Sequence, residues 1–140
     1  RIALPRAEWM AQTVDAVDPI KQANGSILLI EDELAVRRST MRMLRARGYD
    51  VHAVDGPEAA IQCIQSDEVN FDIIVSDVNL PGMRGDVLVE KLLEIRPGTA
   101  GLFISGSLLE ETLLGQSLLT KPFTADELGR RVAELLSKSA

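Results

Sequence analysis

Four apolar residues in a row, Ile27–Ile30, stop abruptly at Glu31-Asp32-Glu33. An unbroken run of this length suits a strand covered on both faces better than one with a wet face. Val36, Thr40, Met43 and Leu44 then recur at helical spacing, and Gly48 follows the basic Arg45 and Arg47, which predicts a helix with an ordinary C-terminal stop. Val51–Val54 reads as a short strand. Asp55-Gly56-Pro57-Glu58 opens a second helix with proline where its missing N–H matters least, and Ile61 and Ile64 face inward. Ile73-Ile74-Val75 is a third strand ending at Ser76-Asp77. The turn Leu80-Pro81-Gly82 leads into a helix carrying Leu88, Leu92 and Ile95, closed by Pro97-Gly98. Leu102-Phe103-Ile104 ends in Ser105-Gly106, and a minimal strand at Leu118-Leu119 ends in Thr120-Lys121-Pro122. The last helix opens on Thr124 and Glu127 as a capping box and buries Leu128, Val132, Leu135 and Leu136.

Strand and helix alternate five times. The fold class expected is therefore α/β, a doubly wound five-stranded parallel sheet with helices on both faces and right-handed crossovers. Ligands of such sheets bind beyond the carboxyl ends of the strands, at the switch in strand order. Polar residues gather at those ends: Glu31 and Asp32 after the first strand, Asp77 after the third, Ser105 after the fourth and Lys121 after the fifth.

Composition narrows what this edge does. The 140 residues suffice for one core, and 46% of them are hydrophobic. A formal charge of −6 without any Lys/Arg-rich run lacks the footprint of a nucleic-acid binder. The one cysteine, Cys63, excludes an internal disulfide and reads as filler on an apolar helix face. The one histidine, His52, reads as an ordinary surface or edge residue. No apolar stretch approaches the roughly 20 residues a membrane helix needs, so a soluble, cytoplasmic domain is expected.

Carboxylates crowded at one sheet edge repel, and at neutral pH they call for a proton or a cation. Mg²⁺ prefers oxygen ligands and retains open positions for phosphate oxygens. Beside it Asp77 becomes a nucleophile toward phosphorus. Phosphoryl transfer needs mainly positioning and charge stabilisation. The cation, the Lys121 ammonium and the Ser105 hydroxyl with nearby N–H groups are suited to one phosphoryl oxygen each.

Leu28-Leu29-Ile30-Glu31-Asp32-Glu33, Ser76-Asp77-Val78-Asn79-Leu80-Pro81-Gly82 with Gly85, Ile104-Ser105-Gly106 and Lys121-Pro122-Phe123 together resemble the response-regulator receiver domains. The resemblance runs from about Ser26 to about Leu136 and implies the (βα)5, flavodoxin-like receiver fold. It implies further that Asp77 is phosphorylated, that Asp32, Asp77 and the Asn79 carbonyl bind Mg²⁺, and that Glu31 acts on the metal through water. Ser105 is then the switch hydroxyl, Lys121 contacts the phosphoryl group, and the Lys121–Pro122 bond is cis. Such a domain promotes its own aspartyl phosphorylation and dephosphorylation. Its partners are a histidine kinase or a histidine phosphotransfer protein, with no nucleic acid, no direct membrane contact, and a monomer expected for the isolated domain. Arg1-Ile2-Ala3-Leu4-Pro5-Arg6 is similar to the closing strand of the ATP-binding domain of sensor histidine kinases. That suggests the C-terminal receiver of a hybrid kinase, with residues 1–25 as linker, the end of the kinase ATP-binding domain included, and 26–140 as the receiver.

Two other functions compete. A pseudo-receiver that only docks is disfavoured by the presence of Asp77, Ser105 and Lys121 together. A haloacid dehalogenase-type phosphatase wants a second Asp two residues after its nucleophile as general acid, where this chain has Asn79. The chain also departs from the receiver pattern. Only 15 residues separate Ser105 from Lys121, so the fourth of the five helices is expected to be shortened, and Leu118 stands where receivers usually carry an aromatic ring.

Overall fold

The computed structural model describes residues 25–66, 69–106 and 118–139. Its elements run β1 (Ser26–Ile30), α1 (Leu34–Arg45), β2 (Asp50–Val54), α2 (Pro57–Gln65), β3 (Ile73–Asp77), β4 (Asn79–Leu80), β5 (Met83–Arg84), α3 (Gly85–Ile95), β6 (Ala100–Ser105), β7 (Leu118–Thr120) and α4 (Ala125–Ser139). Five strands form one sheet in the order β2-β1-β3-β6-β7, parallel throughout. The chain leaves β1 toward β2 on one side and returns to β3 on the other, so the order switches between β1 and β3. The expected doubly wound α/β fold is the one observed. The shortened fourth helix and the linker 1–25 except its last residue lie outside the described residues.

Alternation along each buried strand explains why β1 is apolar from Ile27 to Ile30. Ile27 and Leu29 point into a core with Leu44 of α1 and Leu128 and Val132 of α4. Leu28 and Ile30 point the opposite way, against Ala60 and Ile64 of α2 and Leu88, Val89 and Leu92 of α3. A two-residue period with both faces covered leaves no polar position. Burying each such Leu or Ile stabilises the fold by about 1.5–3 kcal/mol.

The helix ends follow local rules. Gly48 after α1 has φ +98°, and the Gly48 and Tyr49 amides donate back to the Arg45 and Leu44 carbonyls. Pro57 opens α2 as expected. Before α4 the Thr124 amide donates to Glu127 Oε1 at 2.9 Å and the Glu127 amide to Thr124 Oγ1 at 3.1 Å, completing the capping box.

Some side chains sit at the margins of the core. Ile95 is 42% exposed, because it is the last residue of α3 and the chain turns away at Arg96, while Val89 takes a buried position beside Leu88 and Leu92. Leu135 and Leu136 are only partly buried at the edge of the core. Cys63 is half-buried against the α2/α3 core, and His52 is exposed on β2, edge-on to Phe71 with ring centroids 5.5 Å apart. The turn at Leu80-Pro81-Gly82 is flanked by a two-strand hairpin in which Asn79 pairs with Arg84, and Gly82 adopts φ +82°. Among the described residues no helix is long and apolar enough to cross a membrane.

Candidate functional site

Asp77 is the last residue of β3, in a strand buried along its whole length, and only 6% of it is exposed. Glu31 and Asp32 follow β1 directly. Because β1 and β3 are neighbours in parallel register, with Ile30 opposite Ser76, both strands deliver their carboxylates to one edge. Glu31 is 2% exposed and Asp32 is open to solvent. One carboxylate oxygen from each of Glu31, Asp32 and Asp77 lies within 4.8 Å of the others.

Lys121 reaches this cluster from the far side. It follows β7, and its amide donates to the Ser105 carbonyl at 2.7 Å, one step beyond the β6–β7 ladder. Its Nζ stands 3.1 Å from Asp77 Oδ2 and 3.8 Å from Glu31 Oε2. The Lys121–Pro122 peptide is cis. The other Asp77 oxygen, Oδ1, accepts the Asn79 amide at 3.0 Å. Ser105 ends β6 with no exposure, on the same edge of the sheet. The structure thus gathers Glu31, Asp32, Asp77 and Lys121 in direct proximity. It brings the Asn79 backbone against Asp77, and places Ser105 one residue past Ile104, the partner of Asp77 on the neighbouring strand.

The electrostatics follow from burial. Glu31 has its carboxyl pushed up from 4.5 to about 7, first by burial and further by the Asp77 charge, against the pull of the Glu33 amide and the Lys121 ammonium. That amide donates to Glu31 Oε1 at 3.1 Å. Burial works against the charge on Lys121, but the bond to Asp77 and the negative Asp77, Glu31 and Glu33 together outweigh it and raise its pKa. One ammonium facing three carboxylates leaves the pocket negative. Its donors are all oxygen, and a hard divalent cation fits such a set.

Two further residues shape the site. Gly85 opens α3, and a Cβ built there falls 1.9 Å from the Asp77 carbonyl oxygen. The Gly85 amide donates to the Val78 carbonyl at 2.7 Å, so α3 lies directly against the backbone that carries Asp77. Gly85 belongs to the motif read from the sequence, though its reason does not. Arg37, one turn into α1, is not singled out by the sequence pattern at all. Its Nη1 donates to the Glu31 carbonyl at 2.8 Å and lies 3.5 Å from that of Asp32. Only its place shortly after the acidic pair hints at this.

Comparison with known proteins agrees with this geometry. The response regulator receiver domain family matches residues 27–133. The chain is 34% identical over 123 residues to the sensor kinase CckA of Brucella abortus, covering 82% of this chain and 13% of that protein. It is 37% identical over 120 residues to the aerobic respiration control protein ArcA of Escherichia coli K12, covering 81% of this chain and 49% of that one. The chain therefore spans half or less of the length of these relatives. Among solved structures, the receiver domain of the hybrid histidine kinase CckA superposes with TM-score 0.69 at 35% identity, over 80% of this chain and 99% of that one. A response regulator receiver protein from Sinorhizobium medicae superposes with TM-score 0.75 at 27% identity, over 85% and 99%. With its sheet, its acidic edge and the family match over residues 27–133 in agreement, the chain belongs to the response regulator receiver domains, the phosphoryl-accepting modules of two-component signalling.

Proposed function

We propose that Asp77 is the phosphoacceptor, taking its phosphoryl group from a phosphohistidine on a histidine kinase or a histidine phosphotransfer protein. The observation that carries this reading is the contact of Lys121 Nζ with Asp77 Oδ2 at 3.1 Å inside the carboxylate cluster. A carboxylate oxygen of Asp77 attacks phosphorus, the N–P bond breaks as the O–P bond forms, and the imidazole leaves. Lys121 pairs with Asp77 Oδ2 and follows the charge onto one phosphoryl oxygen. The Asn79 amide holds Asp77 Oδ1, which fixes the direction of the carboxylate. Ser105, at the end of β6, supplies a hydroxyl to a second oxygen.

The cation we assign is Mg²⁺, held by Asp32, Asp77 and the Asn79 carbonyl, with Glu31 reaching it through water. When bound it supplies the positive charge that lets the carboxylates and an incoming phosphate coexist. The isolated domain is proposed to be a cytoplasmic monomer without direct contact to membrane or nucleic acid. Residues 26–140 form the receiver unit of a hybrid histidine kinase and residues 1–25 its linker, a reading supported by the likeness to the CckA receiver and by β1 starting at Ser26.

The test is to incubate the protein with a small phosphodonor and Mg²⁺ and to map the acid-labile phosphate. Label on Asp77, absent from Asp77→Asn, is expected. Undiminished label in Asp77→Asn would sink the assignment.

A further inference from the structure

The loop that carries Glu31 and Asp32 has few anchors of its own. The Glu31 amide closes the last rung with the Val54 carbonyl at 3.1 Å, and beyond it the strand ladders stop. The carbonyls of Glu31 and Asp32 therefore need partners from elsewhere. The cap residue of α1, Glu33, makes no side-chain capping bond, and the first turn holds no acidic residue. A helix start of this kind does not hold the preceding loop by itself.

Arg37 fills that gap. Side chains on a helix lean toward its N-terminus, so an arginine at the fourth helical position reaches back over the loop. Its own amide makes the first helical bond, to the Glu33 carbonyl at 2.8 Å. Its Nη1 donates to the Glu31 carbonyl at 2.8 Å and lies 3.5 Å from the Asp32 carbonyl. Two consecutive acidic residues are thus tied through their backbones by one guanidinium. The placement is unfavourable for the helix alone, since a cation near the N-terminus opposes the macrodipole. Tertiary contact with the loop outweighs that local preference.

We infer that Arg37 is a positioning residue, which sets the Asp32 and Glu31 carboxylates for the divalent cation through their backbone carbonyls. This rests on the proposed Mg²⁺ site. Groups that orient metal ligands from outside change affinity by roughly 10–100-fold when removed. A purely electrostatic role has the opposite sign, because deleting a nearby positive charge favours a cation.

The experiment titrates Mg²⁺ calorimetrically into the unmodified protein, Arg37→Met, Arg37→Lys and Asp32→Asn, and records the amide resonances of residues 31–33 without metal. Arg37→Met keeps the aliphatic stem, and Arg37→Lys keeps the charge and one donor. Expected is binding weaker by about tenfold in Arg37→Met, with part of it recovered in Arg37→Lys and with metal-free shifts in residues 31–33. Binding in Arg37→Met equal to or tighter than that of the unmodified protein, while Asp32→Asn loses it, overturns the role of Arg37 and leaves the metal site standing. Mg²⁺ binding that is absent, or unaffected by Asp32→Asn, overturns the site and this inference together.

Discussion

Lys121 Nζ lies between two buried carboxylates, 3.1 Å from Asp77 Oδ2 and 3.8 Å from Glu31 Oε2, so one ammonium serves both. Replacing it by an apolar side chain leaves the pair uncompensated. In Lys121→Met we expect a stability loss of about 1–3 kcal/mol at neutral pH, below the cost of breaking a fully buried pair because Lys121 is partly solvated. Phosphoryl acceptance from a small donor is expected to fall at least about tenfold, through loss of charge stabilisation. Denaturant unfolding and phosphate labelling measure the two effects, and unchanged labelling would remove Lys121 from the reacting centre.

The proton on Glu31 predicts how metal-free stability varies with pH. In the native protein this carboxyl titrates at about 7, against 4.5 for an unperturbed glutamate. Between those values the native state binds more protons than the unfolded chain, so stability falls as pH rises through the window and stays lower above it. The full effect is on the order of 3 kcal/mol at most. Glu31→Gln should flatten this slope, as should saturating Mg²⁺. Chemical denaturation from pH 4.5 to 8 decides it, and a slope unaltered in Glu31→Gln would place its origin elsewhere.

At Gly85 the constraint is steric. A methyl group there meets the Asp77 carbonyl oxygen at 1.9 Å, backbone against which α3 is already bonded. Gly85→Ala must push α3 or Asp77 aside, and we expect a loss of about 2–3 kcal/mol, in the range of overpacked cores, together with reduced labelling. A Gly82→Ala control has open space around it and a strained φ of +82°. It should lower stability without reducing labelling per folded molecule.

Thr124→Ala removes one half of a completed capping box far in sequence from Asp77. About 1 kcal/mol of stability should be lost, with little change in phosphoryl acceptance. A large loss of labelling in a still-folded variant would show that α4 is coupled to the site.

Leu118 begins β7 and is 4% exposed, at the position where receivers commonly place an aromatic ring. A leucine has no ring with which to follow Ser105, the switch hydroxyl that the receiver resemblance implies. Phosphorylation, mimicked by beryllofluoride, is therefore expected to leave the protein monomeric in sedimentation and to shift the amides of β7 only slightly. A phosphorylation-dependent dimer with large shifts across Leu118–Thr120 would contradict this.

The alternation of the five strands with the four described helices was legible in the chain because apolar period and turn residues are local properties. Ile27–Ile30 announces a strand covered on both faces, and Thr124 with Glu127 announces a helix start, whatever the rest of the fold does. The polar residues at strand ends were legible for a related reason. A strand stops where its side chains leave the core, and in a parallel sheet all such stops fall on the same edge. Ile95 keeps the helical spacing of Leu88 and Leu92 yet is exposed, since spacing gives the face of a residue and says nothing of where its helix runs out of neighbours.

Tertiary structure alone decided everything that depends on register between distant segments. Lys121 meets Asp77 across 44 residues because β7 pairs with β6 and β6 with β3 in one particular register. The high pKa of Glu31 arises from burial beside Asp77, which no local pattern encodes. Gly85 must be glycine because α3 lies on the backbone of Asp77, and Arg37 belongs to the site because its side chain reaches the Glu31 carbonyl. Local sequence determines which elements form and which residues end them. Distances of a few ångströms between those ends are set by packing, and the chemistry of the site depends on those distances.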